Sequence, residues 1–290
     1  MILHWIRASR PKTLLASLVP VFIGSVLAYS KHGIIGFQIP MLCFLFSLLV
    51  QIGTNFANDY FDYVKGGDTQ SRIGPDRMVQ SGVIQPRKML MASILISFLA
   101  LLVGLILFGS AEVHSGVLPL GIVCILCAFF YTGGPYPIAY NALGDLFVIL
   151  FFGFVAVILT EYFISSSLGF SFAPTYHIGF CVGLIINNLL IVNNYRDFEE
   201  DSKSGKRTTI VLFGRKFGML FFLAGSIVAC ILPALFDPNC WLCLLNIPFV
   251  IMISRRLSSS STKDDFNQVL TLSALLMVSY SISISLGILS

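Results

Sequence analysis

Charge is what this sequence has least of. Only 11% of its 290 residues are Asp, Glu, Lys or Arg, 56% are hydrophobic and the mean hydropathy is +0.88; ordinary soluble domains carry about 25% charged residues. A water-borne globule is excluded. Histidine occurs four times, scattered along the chain, so an imidazole-rich metal cluster is excluded too. The seven cysteines are odd in number and mostly sit inside apolar runs, which leaves no disulfide framework. Cys124 with Cys127 and Cys240 with Cys243 have C-x-x-C spacing but no second pair or nearby His, and read as helix packing. No GxxxxGK[ST] loop is present, which argues against nucleotide hydrolysis of that class.

What the sequence has in plenty is long apolar runs. They fall at about 12–30, 37–57, 89–110, 117–134, 144–166, 176–195, 217–236, 239–254 and 266–288, each near the roughly 20 residues a helix needs to cross a bilayer. About nine spans are expected, the eighth being the shortest. The positive-inside rule tests the count. With the N-terminus cytoplasmic, every Lys and Arg falls on inner segments except Lys31. The net charge of +4 is thereby explained by topology, without a nucleic-acid partner. Val26 and Ala28 have the small-residue spacing of a signal-peptide cleavage site, but the apolar region is long for a signal, so the first run is read as a retained span. The expected location is a bacterial cytoplasmic membrane, in contact with lipid throughout.

The few acids are not spread evenly. Of fourteen, Asp59, Asp62, Asp68 and Asp76 sit in one long inner connection, 58–88, and Asp197, Glu199, Glu200 and Asp201 in another, 197–216. The two connections lie four spans apart, so both follow helices running the same way. Each begins with Asn, continues with Asp, turns at Lys-Gly or Ser-Gly and ends in basic residues. Such parallel repeats are related by an axis along the membrane normal, which brings the acidic loops face to face. The fold expected is all-α: a polytopic membrane protein of about nine transmembrane helices around a central cavity, two parallel four-helix repeats plus one, forming a single domain over 1–290.

Gln51, Asn55, Asn58, Asp59 and Asp62 share one helix face at 100° per residue, and Asn187, Asn194, Asp197 and Asp201 form a similar stripe. Amides alone are explained by helix–helix hydrogen bonding. Repeated aspartates are not, because intramembrane carboxylates face a bundle interior or a wet cavity and repel one another unless a cation sits between them. Oxygen ligands without Cys or His point to Mg2+, which binds one or two carboxylates and completes its shell with water and phosphate oxygens. Arg72, Arg77, Lys206 and Arg207 lie beside the acids and suit a diphosphate by charge, the arginines also by bidentate geometry. In a bilayer-embedded cavity that diphosphate is expected to be a lipid's. Ionisation of an allylic diphosphate would need charge stabilisation at the leaving group and a dry, aromatic pocket. Two other readings of the stripes stand at this point: an ion path through a cation transporter, and a scaffold without catalysis.

The motifs resemble those of the UbiA superfamily of intramembrane aromatic prenyltransferases along nearly the whole chain. The family's N-D-x-x-D-x-x-x-D is met by Asn58, Asp59 and Asp62, with Asp68 two residues later than the general spacing. Its D-x-x-x-D is met by Asp197 and Asp201 in NNYRDFEEDSKSGKRTT. KGGDT followed by RIGPDRMVQSG is similar to the menaquinone branch, the 1,4-dihydroxy-2-naphthoate polyprenyltransferases, as are ASRPKTLLASLVPVFIG (8–24) and YTGGPYPIAYNALGD (131–145). The resemblance implies Mg2+-dependent transfer of a polyprenyl chain from its diphosphate to 1,4-dihydroxy-2-naphthoate, with loss of the ring carboxylate, giving demethylmenaquinone. A 4-hydroxybenzoate or homogentisate acceptor is the nearest alternative. It further implies a metal and diphosphate site of Asn58, Asp62, Asp68, Asn194, Asp197 and Asp201, with Arg72, Arg77, Lys206 and Arg207 neutralising phosphate. Asp59 either supports the metal or ends its helix. Asp145 either orients the acceptor phenol or caps a helix, and Arg10 and Lys12 either hold the acceptor carboxylate or set topology.

Overall fold

The computed structural model describes residues 2–66, 74 and 77–290; the expectations at Asp68, Arg72 and Asp76 lie outside them. Among the described residues all extended regular structure is helical, with one isolated bridge between Asn141 and Arg207. Eight helices are long and apolar enough to cross a membrane: Pro11–His32, Gln38–Val64, Pro86–Gly109, Gly144–Ser167, Tyr176–Arg196, Arg215–Phe236, Pro238–Ser259 and Lys263–Leu289. A further apolar helix, Val117–Phe130, has 14 residues, about 21 Å of rise against a hydrocarbon core of about 30 Å. Counting it as the fourth, the described residues form nine apolar helices of a multi-pass membrane protein.

The weak member of the nine is therefore the fourth, not the eighth. The sequence expectation ran the fourth to residue 134, but Thr132-Gly133-Gly134-Pro135 stops it: Gly134 takes φ +76°, and proline disfavours helix in the residue before it. The eighth gains length because residues Pro238–Asn246 form a 3-10 turn that runs straight into Ile247–Ser259. The fourth helix still reaches both ends of the bundle. Val117 packs with Leu107 and Cys43 at one end, while just past the other Thr132 Oγ1 donates to Asn58 Oδ1 at 2.8 Å.

The sixth span is the central post: 72% of its apolar window is buried, against 17% for the lipid-facing third. It packs against the seventh and the middle of the fifth. There the fifth span widens into a π-helical segment, Ile149–Val155. The close approach needs residues without side chains: a Cβ on Gly153 would sit 2.4 Å from the Gly179 carbonyl oxygen, and one on Gly183 2.7 Å from that of Ile149. Among the sixth span's amides, Asn188 Nδ2 donates to Ser226 Oγ of the seventh at 2.8 Å, a helix-to-helix tie.

At the end of the bundle away from the acidic loops, Lys31 breaks the charge pattern, and the structure neutralises it. Its ammonium pairs with the fully buried Glu161 and donates to the Ala173 carbonyl at 2.6 Å and Thr175 Oγ1 at 2.8 Å.

Gly183→Ala is expected to destabilise the protein by about 1–3 kcal/mol, since the added methyl meets backbone that cannot move aside. Gly225→Ala, whose Cβ comes no closer than 3.5 Å to Leu184, is expected to change stability by less than about 0.5 kcal/mol. Thermal unfolding in detergent compares the two; equal shifts would contradict the packing described.

Candidate active site

Helix ends build a polar cavity of about 540 Å³. Its wall takes Arg7, Ala8 and Arg10 from just before the first span and Pro11, Lys12 and Thr13 from its start, Asn58, Asp59 and Asp62 from the end of the second, and Arg77 and Met78 from the loop beyond. It also takes Gly144 and Asp145 from the start of the fifth span, Asn193, Asn194, Arg196 and Asp197 around the end of the sixth, and Lys263 and Asn267 from the ninth. Both acidic motifs thus open onto one space. A second cavity of about 300 Å³ runs between the second, third, fourth and fifth spans, lined by Phe46, Phe108, Phe147, Phe151, Phe152 and Phe163 among others. The two cavities share Arg10, Thr13, Asn58, Tyr131, Leu189, Leu190 and Asn193 in their walls. A charged chamber adjoins a greasy one.

The first motif is held by its neighbours residue by residue. Asn58 lines both cavities. Asp59 accepts the backbone N–H groups of Met78 at 3.1 Å and Val79 at 3.2 Å, one on each oxygen, so it anchors the returning loop. Asp62 accepts from Arg77 Nη2 at 2.8 Å and from the Tyr140 hydroxyl at 3.0 Å. Asn55 points the other way, to the Ser9 carbonyl at 2.8 Å, and fixes the kink where Arg10 adopts φ +53° before the first span.

In the second motif Asn194 and Asp197 line the cavity, whereas Asp201 lies one turn on, buried and outside the cavity wall, 3.3 Å from Lys206 Nζ. Burial pushes the Asp201 carboxyl above the ordinary range, with the Lys206 charge pulling it back; its Oδ2 is buried with no partner among the described residues. Arg207 departs from expectation. Its side chain is exposed and does not line the cavity, because its backbone is committed to the connector: its N–H donates to the Tyr140 carbonyl at 3.1 Å and its carbonyl accepts from Ala142 at 2.7 Å.

Asp145 does not cap its helix, where no side-chain cap is made. It accepts from Asn187 Nδ2 at 2.9 Å and Thr209 Oγ1 at 2.6 Å, tying the fifth span to the sixth and to the second loop. Arg10 lines both cavities, and its charge bears on Asp59. Lys12 reaches Thr271 Oγ1 at 3.3 Å on the ninth span, at the cavity rim.

Sequence reading missed three members. Tyr140 joins the motifs: its hydroxyl holds Asp62, and its ring lies under Lys65 at 5.0 Å and Lys206 at 5.6 Å. Lys65 also donates to the Thr132 carbonyl at 2.8 Å, and burial draws its pKa down while Asp62 raises it. Arg196, counted in the sequence only as a topology charge, holds Asp197 through two bonds, Nε to Oδ1 at 2.6 Å and Nη2 to Oδ2 at 2.8 Å. Its position beside the aspartate was the available signal.

Among the described residues no three Asp, Glu, His or Cys side chains form a ready metal cage. Mg2+ does not require one, since one or two protein carboxylates with water and phosphate oxygens suffice. The polar cavity has neither histidine nor cysteine in its wall, and the buried free oxygen of Asp201 suits an oxygen-seeking ion. The donor set fits.

The model of the UbiA prenyltransferase family matches residues 17–279. The 1,4-dihydroxy-2-naphthoate octaprenyltransferase of Haemophilus influenzae is 39% identical over 223 residues, 75% of this chain and 71% of that protein. The Escherichia coli protein of the same name is 35% identical over 263 residues, covering 87% and 83%. Among solved structures, a UbiA homologue from Archaeoglobus fulgidus bound to DMAPP and Mg2+ superposes with a TM-score of 0.64 at 18% identity, over 97% of this chain and 99% of that one. The apo UbiA homologue from Aeropyrum pernix K1 gives 0.71 at 15% identity, over 93% and 96%. These likenesses establish the fold.

If Asp59 serves the loop, Asp59→Ala leaves two buried amides without acceptors, at about 1–3 kcal/mol each. Trypsin is then expected to cleave after Arg77 at least about tenfold faster than in the wild type. Unchanged cleavage would contradict that role.

Proposed function

Because the chain belongs to the UbiA prenyltransferase family, we propose that it transfers a polyprenyl chain from its diphosphate to 1,4-dihydroxy-2-naphthoate. The carboxylate is lost as CO2, and the product is demethylmenaquinol, the reduced form of demethylmenaquinone. The observation that carries the reading is the charged chamber adjoining the aromatic one, with seven wall residues in common. It suits a molecule with a doubly phosphorylated head and an isoprenoid tail. The relatives of the same reaction are the octaprenyltransferases of Haemophilus influenzae and Escherichia coli.

Asp62, Asp197 and Asp201 would hold Mg2+, which when bound adds positive charge to the diphosphate leaving group. Asn58 and Asn194 supply neutral polar contacts in the same wall, and Arg77 and Lys206 bring cations to the phosphate oxygens. Lys65 joins them across the Tyr140 ring. As the allylic C–O bond breaks, its electron pair leaves with the diphosphate. The phenylalanines of the apolar cavity keep water from the carbocation and present π faces to it. The ring carbon that carries the carboxylate attacks, the new C–C bond forms, and the pair from the departing carboxylate restores aromaticity. Asp145, buried in the cavity wall beside Thr209, and Arg10 are placed to orient the acceptor. Asp59 is assigned to the loop and Arg207 to the connector; neither is assigned to phosphate or metal.

A cation path is disfavoured by the arginines that occupy Asp62 and Asp197, since they would obstruct it. The side of the bundle bearing the polar cavity is assigned to the cytoplasm, with the N-terminus on that side, in a bacterial cytoplasmic membrane.

Purified protein in nanodiscs, given octaprenyl diphosphate, Mg2+ and 1,4-dihydroxy-2-naphthoate labelled at the carboxylate, is expected to release labelled CO2 and a prenylated naphthalenediol by mass spectrometry. Excess chelator abolishes both. Asp62→Ala and Asp197→Ala each lower kcat/KM by at least about 100-fold, the scale of losing a leaving-group stabiliser. Full turnover in chelator, or preference for 4-hydroxybenzoate as acceptor, would overturn the assignment.

A further inference from the structure

We propose that Arg196 is a placeholder cation, which neutralises Asp197 in the unliganded protein and moves to the diphosphate when substrate binds, freeing Asp197 for the divalent ion. The inference rests on the prenyl-diphosphate reading above.

Arg196 is the last residue of the sixth span, is 3% exposed and lines the polar cavity beside Asp197. Two of its nitrogens occupy both oxygens of Asp197. The third, Nη1, is buried with no partner among the described residues. An ion pair serving stability alone would satisfy that nitrogen, because a buried donor left unmade is costly. One bearing on a cavity that is to receive an anion need not.

The contact is also local. Neighbouring residues on a helix point about 100° apart and do not meet, but Asp197 has left the helix, with φ −87° and ψ 8°, so its carboxylate folds back onto the arginine. Rotation of one long side chain breaks the pair without moving backbone. At the first motif an arginine also pairs with the aspartate, Arg77 Nη2 to Asp62 Oδ2 at 2.8 Å, from the loop rather than from the chain neighbour.

The charge balance then dictates the order of binding. A carboxylate with both oxygens taken by a guanidinium cannot ligate a metal. A divalent ion arriving alone must expel Arg196 and leave it buried without a counter-ion, which is strongly unfavourable. Arriving with a diphosphate, it replaces one pair by two, Asp197 with the metal and Arg196 with phosphate, the anion its planar fork matches. Metal and diphosphate should therefore bind together and metal alone poorly.

The test is Mn2+ titration followed by EPR, in nanodiscs, on the wild type, Arg196→Gln and Arg196→Lys, each with and without geranyl thiolodiphosphate. In the wild type the analogue is expected to tighten Mn2+ binding at least about tenfold. In Arg196→Gln, Mn2+ alone binds at least about tenfold tighter than in the wild type and the analogue adds little, as expected when one partner of a buried pair is removed. Arg196→Lys keeps the charge but not the fork, and its gain from the analogue falls between the two. In turnover, the donor KM rises more than kcat falls. If Arg196→Gln binds Mn2+ no tighter than the wild type and gains as much from the analogue, the proposal is overturned. Should that variant not fold, Arg196→Lys decides, and a gain from the analogue in Arg196→Lys as large as that of the wild type overturns the proposal. A wild type that binds no Mn2+ in the presence of the analogue instead defeats the prenyl-diphosphate reading itself.

Discussion

A carboxylate taken out of water stays ionised only beside a cation or a set of donors, and the polar end of this protein is built around that requirement. Asp62 has Arg77 and the Tyr140 hydroxyl, Asp197 has Arg196, and Asp201 has Lys206. Asp59 is answered by two backbone amides and Asp145 by an amide and a hydroxyl. At the opposite end of the bundle the same rule governs Glu161, which has Lys31. Asp59, Asp62, Asp145 and Glu161 thereby each fix two elements against each other and help to join the helix ends. The hydrophobic effect does not do this between helices, since lipid tails are as apolar as the helix faces, so close packing and polar contacts hold them.

The connector between the fourth and fifth helices is the piece through which the two motifs meet. The fourth helix stops early at its Gly-Gly-Pro turn, and the chain then runs across the cavity mouth. That path sets Tyr140 between Asp62 and Lys206 and places Asp145 against the sixth span. Behind it, the π-helical turn with Gly153, meeting Gly179 and Gly183 of the sixth span, draws the fifth and sixth spans together. Aromatic side chains from that segment, Phe151 and Phe152, line the apolar cavity. Charge chemistry and dry chemistry are thus built on the same two spans.

Much of this was legible in the sequence because it is local. Hydropathy located the spans, and the period of the Asn and Asp stripes put both motifs on inward faces. What was not legible depends on contacts between distant residues or on the course of a loop. Asp59 meets amides about twenty positions away, which no periodicity encodes. Arg207 follows the second motif just as Lys206 does, yet the pairing of its backbone with Tyr140 and Ala142 turns its side chain outward. Arg196 was visible as a charge, but a helix pattern separates adjacent side chains, and its grip on Asp197 exists only because the helix ends between them. The shortness of the fourth helix was written in Gly133, Gly134 and Pro135, which an apolar count passes over.

The central claim is that both acidic motifs hold one diphosphate through shared cations in a single chamber. A double-mutant cycle on Asp62→Asn and Asp197→Asn, read as the affinity for a prenyl thiolodiphosphate in the presence of Mg2+, tests it most directly. Groups acting as one unit are grossly non-additive: the double variant should bind within about threefold of the weaker single variant. Losses that simply multiply, as they do for independent sites, would contradict the account.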